Sequence, residues 1–349
     1  MREHSQSLPI SSPAHSREKL IDNYGRRITY VRLAVTDRCN LRCTYCMPEQ
    51  GIRFLSRQEI LTYEEMLRLL HLLAEMGVSK VRITGGEPFV RRGLVDFLWQ
   101  VREIPGIRHI HITTNGVLTA PHVPELQRLG IAGINLSLDS LDRERFRRIT
   151  RRDQLEAVLR CFHTILEYGI PLKINTVLMG GINDADIVPL AMLSRDYPVE
   201  VRFIEEMPFN GTLNGNGRSH SRWDYRRILE VLQQAFPGLE KRPDPANSTS
   251  MNYRIPGHRG GVGIIAGFSR TFCGSCNRIR VNAKGKVQTC LYGKAVLDIR
   301  QMLREGATDE AIKAAVRAVV NKRFRDGWEA QRHSGVGVDV SESMSMIGG

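Results

Sequence analysis

The amino-acid sequence predicts an α/β fold made of parallel βαβ units. Runs of apolar and β-branched residues, typical of buried parallel strands, alternate six times with stretches whose apolar residues recur at the helical period. Such an alternation requires right-handed crossovers between neighbouring parallel strands. The pattern alone leaves open whether the strands form a barrel or an open sheet. The predicted strands are Tyr30 to Val35, Lys80 to Thr84, His109 to Thr113, Gly133 to Leu138, Leu172 to Leu178 and Val199 to Ile204.

Helical stretches fill the intervals between these strands. The first carries both a start and a stop signal, because Thr62 and Glu65 have the spacing of a capping box and Gly77 follows the last apolar position. These signals fix the phase of the alternation. The predicted helices are Tyr63 to Glu75, Leu94 to Arg102, Val123 to Leu129, Gln154 to Tyr168 and Ile187 to Arg195.

The pattern changes after the sixth strand. A loop rich in glycine and asparagine, Phe209 to Arg218, ends the alternation, and a helix around Trp223 to Ala235 and a proline-rich linker follow it. Beyond the linker the sequence predicts a region of shorter elements. These are strands near Gly261 to Ala266 and Arg278 to Val281, and helices from Ala295 to Arg304 and Thr308 to Phe324.

Length and composition predict three parts. The 349 residues, 42% of them hydrophobic, can bury a large core. Residues 1–20 are rich in Ser, Pro and His and predict a mobile N-terminal arm. Residues 21–236 form the alternating domain, and residues 237–349 form a smaller C-terminal domain.

The charge balance predicts anionic partners. Lys and Arg number 50 and Asp and Glu 37, which gives a formal net charge of +13. The basic residues are spread along the chain, which favours a phosphate-binding pocket over nucleic acid. No apolar run approaches the ~20 residues of a membrane span, and the N-terminus lacks an apolar signal core. We expect a cytoplasmic protein that binds neither membrane nor nucleic acid.

Three cysteines, Cys39, Cys43 and Cys46, lie close together in the run T-D-R-C-N-L-R-C-T-Y-C-M. An odd number of thiols at such short spacing does not suit disulfides. Thiolates are the ligands of both zinc and iron-sulfur clusters. Three ligands leave one metal position open, as a catalytic site does. The alternative is a zinc knuckle completed by a distant ligand.

A second set of three cysteines, Cys273, Cys276 and Cys290, lies in the C-terminal region. Two incomplete sets that use six of the seven cysteines favour two iron-sulfur clusters over structural zinc. The remaining Cys161 falls in an amphipathic helix and is predicted to be a buried apolar residue. This cysteine usage suits a reducing compartment.

The first cysteine run directly follows the first strand, and α/β folds place their active sites at the C-terminal ends of parallel strands. The second strand is followed by Gly85-Gly86-Glu87-Pro88. Glycines there let the backbone approach a ligand closely and offer it N–H groups. We therefore expect Gly86 to face the same pocket as the cysteines, although an ordinary βα turn would also use such a pair.

Basic residues inside apolar strands predict an anion in that pocket, because an unpaired buried charge is costly. Arg32, Arg82 and Lys173 occupy such positions. In Arg278-Ile279-Arg280 the alternation of a strand places both guanidinium groups on one face, where they suit phosphates or carboxylates. A triphosphate would satisfy all of these cations. The alternative for the last pair is a solvated strand face.

These motifs resemble those of the GTP 3',8-cyclases of molybdenum cofactor biosynthesis, a family of radical S-adenosylmethionine (SAM) enzymes. The resemblance runs from about residue 20 to the last residue. It implies an incomplete (β/α)6 barrel of the TIM type with a C-terminal α+β iron-sulfur domain, one [4Fe-4S] cluster in each, and SAM on the open iron of the first. The matching stretches are T-D-R-C-N-L-R-C-T-Y-C-M-P, V-R-I-T-G-G-E-P, T-T-N-G, I-N-L-S-L-D, G-I-N-D, R-F-I-E and F-C-G-S-C-N-R-I-R.

The resemblance also implies roles for individual residues. Those expected to contact SAM are Tyr45, Gly86, Ser137 and Met207. Those expected to contact GTP are Arg32, Arg82, Thr113, Lys173, Arg278, Ile279 and Arg280. A catalytic role falls to Arg32, Arg278 and Arg280 and to the terminal Gly348 and Gly349, whose tail would reach into the active site. The alternative for the tail is a frayed terminus.

The reaction implied by the resemblance is the conversion of GTP to (8S)-3',8-cyclo-7,8-dihydroguanosine 5'-triphosphate. A 5'-deoxyadenosyl radical would take hydrogen from C3' of GTP, and the carbon radical would add to guanine C8. A low-potential electron donor would supply electrons, cyclic pyranopterin monophosphate synthase would use the product, and a homodimer is compatible with this scheme. The residues alone leave two alternatives open: a two-cluster radical SAM enzyme acting on a peptide, and a zinc-stapled nucleic-acid-binding protein.

Overall fold

The structure, a computed structural model, describes residues 19–207, 223–333 and 344–347. The strands within these ranges belong to one sheet. In chain order they are β1 (Tyr30–Ala34), β2 (Lys80–Thr84), β3 (His109–Thr114), β4 (Gly133–Ser137), β5 (Leu172–Leu178), β6 (Glu200–Glu205), β7 (Glu240–Lys241), β8 (Ser250–Arg254), β9 (Gly261–Ile265), β10 (Arg278–Val281), β11 (Lys286–Gln288) and β12 (Leu297–Asp298).

The helices of the described residues follow the strands in alternation and then gather near the C-terminus. They are α1 (Tyr63–Glu75), α2 (Leu94–Arg102), α3 (Val123–Leu129), α4 (Arg143–Thr150), α5 (Leu155–Glu167), α6 (Ile187–Asp196), α7 (Tyr225–Ala235), α8 (Ile299–Arg304), α9 (Asp309–Val320), α10 (Gly327–His333) and α11 (Met344–Ile347).

The sheet is an incomplete barrel. Its strand order is β12-β11-β10-β1-β2-β3-β4-β5-β6-β9-β8-β7. Strands β1 to β6 are parallel, in register from Tyr30 opposite Lys80 to Leu178 opposite Glu205. At one edge β10 pairs parallel with β1, and at the other β9 pairs parallel with β6. The predicted (β/α)6 series is therefore confirmed.

One face of the parallel strands forms the apolar core with the helices. Side chains at alternate positions, such as Val31, Leu33, Val81 and Ile83, are buried together with the inner faces of α1 and α2. The other residues of the same strands, beginning with Tyr30 and Arg32, face the concave side of the sheet, because successive strand side chains point to opposite faces. The fold thus separates an apolar layer from a polar interior.

The six predicted strands and the five helices between them are confirmed with small changes at their ends. The predicted helix Ala295 to Arg304 was too long at its start, because β12 occupies its first residues and the Asp298 side chain caps Gln301 N. The predicted helix Thr308 to Phe324 was too long at its end, since α9 stops at Val320. The short strands β7, β8, β11 and β12 were not predicted.

The folded chain begins inside the predicted arm. Residues 1–18 lie outside the described residues, but Leu20 is 2% exposed and its N–H donates to the carbonyl of Met76 at 2.9 Å. The predicted loop at 209–218 and the terminal Gly348 and Gly349 also lie outside the described residues. No helix of the described residues has the length and apolar character needed to span a membrane.

Candidate active site

The concave side of the sheet carries a cluster of cations. The strand register sets Arg32 beside both Arg280 and Arg82, and Lys80 beside Tyr30. The cations along these strands lie close enough to lower one another's pKa. This cationic cluster consists of Arg32, Lys80, Arg82, Lys173, Arg202, Arg278 and Arg280.

Burial and mutual repulsion make this cluster electrostatically unfavourable as it stands. Burial, and then the charge of Arg280, hold the pKa of Arg32 well below its ordinary value. Burial, and then the charge of Arg82, lower the pKa of Arg202 to about 9. The Nε and Nη2 atoms of Arg202 have no hydrogen-bond partner within the described part of the chain. Such a site is built to be completed by an anion.

Tyr30 lies at the centre of the cationic cluster. Its hydroxyl accepts a hydrogen bond from Arg82 Nε, and Lys80 Nζ and Arg278 Cζ lie 5.0 Å and 5.9 Å from its ring centre. Burial raises the pKa of this phenol, but the charges of Arg82 and Arg32 outweigh burial and lower it to about 7. The phenol can therefore carry a negative charge near neutral pH.

Other predicted substrate contacts line the same concavity. Thr113 Oγ1 accepts a hydrogen bond from Arg82 Nη1 at 3.4 Å, and Arg278 Nη2 donates to the carbonyl of Asn247 at 2.8 Å. Ile279 differs from its neighbours, because its side chain is buried in the apolar core. Only its main chain could meet a ligand on the concave side.

The first cysteine loop is held at the C-terminal ends of β1 to β5. Arg42 N and Thr44 N donate to the carbonyls of Thr150 and Ile149 at the end of α4, and the Arg151 guanidinium donates to the carbonyls of Arg42 and Met47. These hydrogen bonds fix the first cysteine loop to the C-terminal end of α4.

Two buried carboxyl groups, those of Glu87 and Asp139, connect the first cysteine loop to the neighbouring strands. Glu87 accepts hydrogen bonds from Phe89 N, Thr114 Oγ1 and Asn115 N, and Asn115 Nδ2 in turn lies 3.7 Å from Cys39 Sγ. Burial raises the pKa of Glu87 to about 7.

Asp139, the second of these carboxyl groups, connects the loop to β5. It accepts hydrogen bonds from Tyr45 Oη and Val177 N, each at 2.9 Å. Burial raises its pKa to about 6. Tyr45, a predicted SAM contact, is thereby fixed beside the end of β4, where Ser137 is the last residue.

The close approach of two loops explains Gly85 and Gly86. A Cβ atom on Gly86 would lie 2.2 Å from the carbonyl oxygen of Arg38, and one on Gly85 would lie 2.5 Å from that of Thr36. Gly86 N donates to the Thr36 carbonyl at 2.8 Å. The Gly85-Gly86 turn therefore packs directly on the segment that leads into Cys39.

We expect Gly86→Ala to disrupt the first cysteine loop. Backbone atoms cannot move aside as a side chain can, so the expected loss of folding stability is about 2 kcal/mol or more. The iron bound by the reconstituted protein should also fall. Gly293→Ala is the control, because a Cβ there meets nothing closer than 3.7 Å. Thermal unfolding and iron analysis of both variants test the prediction, and equal behaviour would contradict it.

The thiols of the first set repel one another's charged forms. Burial, and then the charge of Cys39, raise the pKa of Cys46 to about 12. Burial, and then the charge of Cys46, raise the pKa of Cys43. Three buried thiolates are therefore unfavourable without a bound cation. Soft donors of this kind, three in number, fit an iron-sulfur cluster with one iron open.

The second set lies beside the cationic cluster. Burial raises the pKa of the Cys290 and Cys273 thiols. At Cys276 the charges of Arg278 and Arg323 outweigh burial, and the thiol pKa is lowered. Arg280 lies within electrostatic reach of Cys276 and Cys290. This donor set, three thiols beside cations, fits a second iron-sulfur cluster.

One apolar patch connects the two sets. Tyr292, Ala330 and Met344 are buried together, and Cys46, Cys290 and Met207 pack against them with Leu291 and Phe324. Met207, a predicted SAM contact, thus packs on the same patch as one cysteine of each set. Met344 belongs to α11, four residues before Gly348.

The structure adds residues that sequence reasoning did not assign. Lys80 and Arg202 belong to the cationic cluster, and the rule applied to Arg32, that a charge inside an apolar strand marks a site, would have found Arg202 in R-F-I-E. Glu87 and Asp139 lie inside recognised motifs. Tyr30 carried no signal, because tyrosine is common in strands.

The site and fold define a class of protein. Two three-thiol sets flank a cationic concavity on a partial (β/α)6 barrel. Residues 33–193 match the model of the radical SAM superfamily, and residues 199–327 match that of the Molybdenum Cofactor Synthesis C domain. The chain is therefore a radical SAM protein with the C-terminal domain of molybdenum cofactor synthesis.

Within this superfamily the chain belongs to the GTP 3',8-cyclase family. The GTP 3',8-cyclase of Heliobacterium modesticaldum is 38% identical over 95% of this chain and 100% of that protein, and the one of Desulforamulus reducens is 39% identical over the same shares. Molybdenum cofactor biosynthesis protein 1 of Bos taurus is 41% identical over 88% of this chain. The chain spans about half the length of that relative, 48%.

Solved structures agree on the fold. Streptococcus suis SuiB bound to S-adenosylmethionine superposes with a TM-score of 0.55 at 14% identity, over 83% of this chain and 68% of that one. Native anSMEcpe with AdoMet and a peptide superposes with a TM-score of 0.55 at 16% identity, over 84% and 81%. The cofactors that belong to this family are SAM and two [4Fe-4S] clusters, and the donor chemistry of the two thiol sets fits such clusters.

Proposed function

We propose that the chain is a GTP 3',8-cyclase, which forms (8S)-3',8-cyclo-7,8-dihydroguanosine 5'-triphosphate in the first step of molybdenum cofactor biosynthesis. The observation that carries the proposal is the cationic cluster between the two thiol sets. Its buried guanidinium groups need several negative charges in one ligand, and a nucleoside triphosphate supplies them. A peptide substrate would have to bring an equally dense set of anions.

The chain's own residues bind and orient the substrate. Arg32, Arg82, Lys173 and Arg202 hold the triphosphate, and Arg278 and Arg280 hold the nucleotide against the second thiol set. Fixing the ribose in one geometry makes hydrogen transfer from C3' and bond formation at C8 intramolecular events in a preorganised site. Bound SAM and the first cluster supply the 5'-deoxyadenosyl radical that begins the reaction.

The side chains around the first cysteine loop position SAM. Tyr45, fixed by Asp139, and the main chain of Gly86 would contact SAM at this loop, together with Ser137 and Met207. The apolar patch of Tyr292, Ala330 and Met344 excludes water from the space between the two sets, as radical chemistry requires.

Anaerobic reconstitution tests the proposal. The purified chain receives iron, sulfide and a reductant, and is then incubated with SAM and GTP. We expect 5'-deoxyadenosine and the cyclised nucleotide in equal amounts, and neither with ATP in place of GTP. Formation of 5'-deoxyadenosine with peptides but not with GTP would support a peptide-modifying enzyme, and a colourless protein containing zinc would reject radical chemistry.

The proposal extends to the partners. A low-potential one-electron donor must reduce the first cluster, and a cyclic pyranopterin monophosphate synthase would act on the product. The cyclised nucleotide should therefore disappear when such a synthase is added to the reconstituted mixture. Cytoplasmic localisation and a homodimer belong to the same proposal.

The C-terminal tail is proposed to enter the active site. Met344 and Met346 of α11 are buried, and the Met346 carbonyl accepts a hydrogen bond from Ala283 N at 3.3 Å. The chain is thus anchored beside the second thiol set immediately before Gly348.

Deletion of Gly348 and Gly349 should lower turnover while both clusters stay bound. A lost positioning contact in an active site costs on the order of 100-fold in rate. Iron content and product formation are measured on the truncated and full-length proteins. Extension of the truncated chain by two alanines is the control for length. Full activity of the truncated protein would contradict the prediction.

The charge of Tyr30 predicts a pH dependence of GTP binding. Its phenol has a pKa of about 7, below the ordinary 10, so it is ionised above pH 7 and neutral below. The phenolate opposes a triphosphate, so GTP affinity should fall as pH rises through 7, by roughly fivefold. Loss of a proton from GTP over the same pH range makes the triphosphate more negative and should raise its affinity. Tyr30→Phe keeps this effect of GTP but removes the effect of the phenolate, so the two can be separated. Calorimetry on both proteins at pH 6 and 8 should show the fall only with Tyr30.

A further inference from the structure

A network of buried charged side chains, outside the cationic cluster, makes hydrogen bonds to the loop that carries Cys273 and Cys276. Its centre is Asp22, whose side chain has no exposed surface. The carboxylate accepts hydrogen bonds from Tyr24 N, Arg26 N and Arg26 Nε, at 2.9, 2.9 and 2.7 Å, and from Arg323 Nη1 at 3.2 Å. The acceptor sites of the buried carboxylate are thereby satisfied, as a stable buried charge requires.

Both arginines reach the loop that carries the cysteines. Arg26 Nη1 donates to the carbonyl of Cys273 at 3.1 Å, and Arg323 Nη1 donates to that of Cys276 at 3.1 Å. The second nitrogen of Arg323 lies 3.5 Å from the Cys276 sulfur and donates to it. The Arg323 side chain is 4% exposed, so this contact is shielded from water and salt.

A charged donor on a cluster thiolate has a defined electrostatic effect. Reduction adds one negative charge to the cluster, and a nearby guanidinium stabilises the reduced form more than the oxidised form. The donors to Cys39 in the first set are neutral by comparison: the main-chain N–H of Leu41 and the amide of Asn115.

We propose that Arg323, oriented by Asp22, is a positioning residue that raises the reduction potential of the second cluster through its hydrogen bond to the Cys276 sulfur. The step it controls is the one-electron reduction of that cluster, in which the reductant loses one electron and no covalent bond forms or breaks. The inference goes beyond the proposed cyclisation, because it needs a cluster at the second set but no particular substrate.

A potentiometric titration with dithionite, followed by electron paramagnetic resonance, tests this inference on the reconstituted protein without GTP. Added SAM marks the signal of the first cluster, so the remaining signal belongs to the second. In Arg323→Met we expect the ratio of reduced to oxidised second cluster at the wild-type midpoint to fall about tenfold, a shift of about 59 mV for one electron. An unchanged midpoint in a fully loaded variant overturns the proposal.

Arg325→Met is the matched control. It removes the same charge two residues away, from a side chain that is 71% exposed and paired with Asp326. The midpoint potential of the second cluster in this variant should equal that of the wild type. A shift as large as that of Arg323→Met would show a general effect of charge and would overturn the role of the hydrogen bond.

Arg323→Lys is the second test variant, and it replaces Arg323→Met in the titration if the methionine variant does not retain its second cluster. Lysine keeps the charge but lacks the fork that reaches the Cys276 carbonyl and sulfur together. We expect a midpoint between those of wild type and Arg323→Met, or below wild type when only the lysine variant is loaded. A lysine midpoint equal to or above the wild type overturns the proposal.

Discussion

Cys43→Ala should reduce the formation of 5'-deoxyadenosine to the level of an enzyme-free mixture. Cys43 lies in the middle of the first set, and burial together with the charges of Cys46 and Cys39 makes its thiolate unfavourable except on a metal. Two thiols cannot hold three irons, so the first cluster should be lost. The second set lies on a different loop and should keep its cluster, so the iron content should fall by about half.

Cys161→Ala is the matched control for this experiment. Its side chain is buried in the apolar core, as the sequence predicted, and burial raises the pKa of the thiol to about 12. The variant removes a thiol without removing a ligand. It should keep both clusters and full activity, with a loss of stability on the order of 1 kcal/mol for the missing sulfur. Equal iron loss in the two variants would contradict the assignment of the first set.

Local patterns predicted the parallel βα series and the thiol sets because each pattern lies within a short stretch of sequence, whereas the barrel was implied only by the family resemblance. Six apolar runs of strand length and three cysteines in eight residues need no knowledge of distant contacts. Strands β11 and β12 have three and two residues, too few to show a period. They extend the sheet edge that begins where β10 pairs with β1: β11 pairs with β10, and β12 pairs with β11.

The contacts that hold the second thiol set could not be predicted in the same way. Asp22 and Arg323 are 301 residues apart, and neither belongs to a recognisable motif. The sequence placed Asp22 next to a mobile arm and Arg323 at the end of a helix. Asp22 precedes β1 and Cys276 precedes β10, so the parallel pairing of these strands brings Asp22 towards the Cys276 loop, which Arg323 contacts.

Arg202 was missed for a different reason, since its strand was predicted and its charge was visible. A single arginine in a strand is more often solvated than buried, so its role depends on neighbours from other strands. The register sets it beside Asn175 on β5 and Gly263 on β9, and a Cβ on Gly263 would lie 3.2 Å from Arg202 Cγ, so the glycine leaves room for this side chain. The rule applied to Arg32 would have marked Arg202 as a candidate, and the assembled sheet shows which cations it joins, Arg82 and Lys173.

Arg202→Met should weaken GTP binding and, at the same time, stabilise the ligand-free protein. Its pKa of about 9, below the ordinary 12.5, means that Arg202 stays charged at neutral pH but that its charge lowers the stability of the fold. Methionine fills a similar volume without the charge, so the free energy of unfolding should rise by about 1 kcal/mol. The lost contact to the triphosphate should raise the Kd for GTP roughly 30-fold, about 2 kcal/mol.

Arg202→Met is thus expected to weaken GTP binding but to raise stability, and these opposite effects distinguish a binding role from a structural role. If Arg202 stabilised the fold, its removal would lower the melting temperature. A cation that binds the ligand and destabilises the ligand-free fold would raise the melting temperature when removed. Arg195→Met removes the same charge from an exposed position paired with Asp196, and should change neither quantity. Melting curves without GTP and calorimetry with GTP measure both. A destabilised Arg202→Met protein that binds GTP normally would assign the residue to the fold.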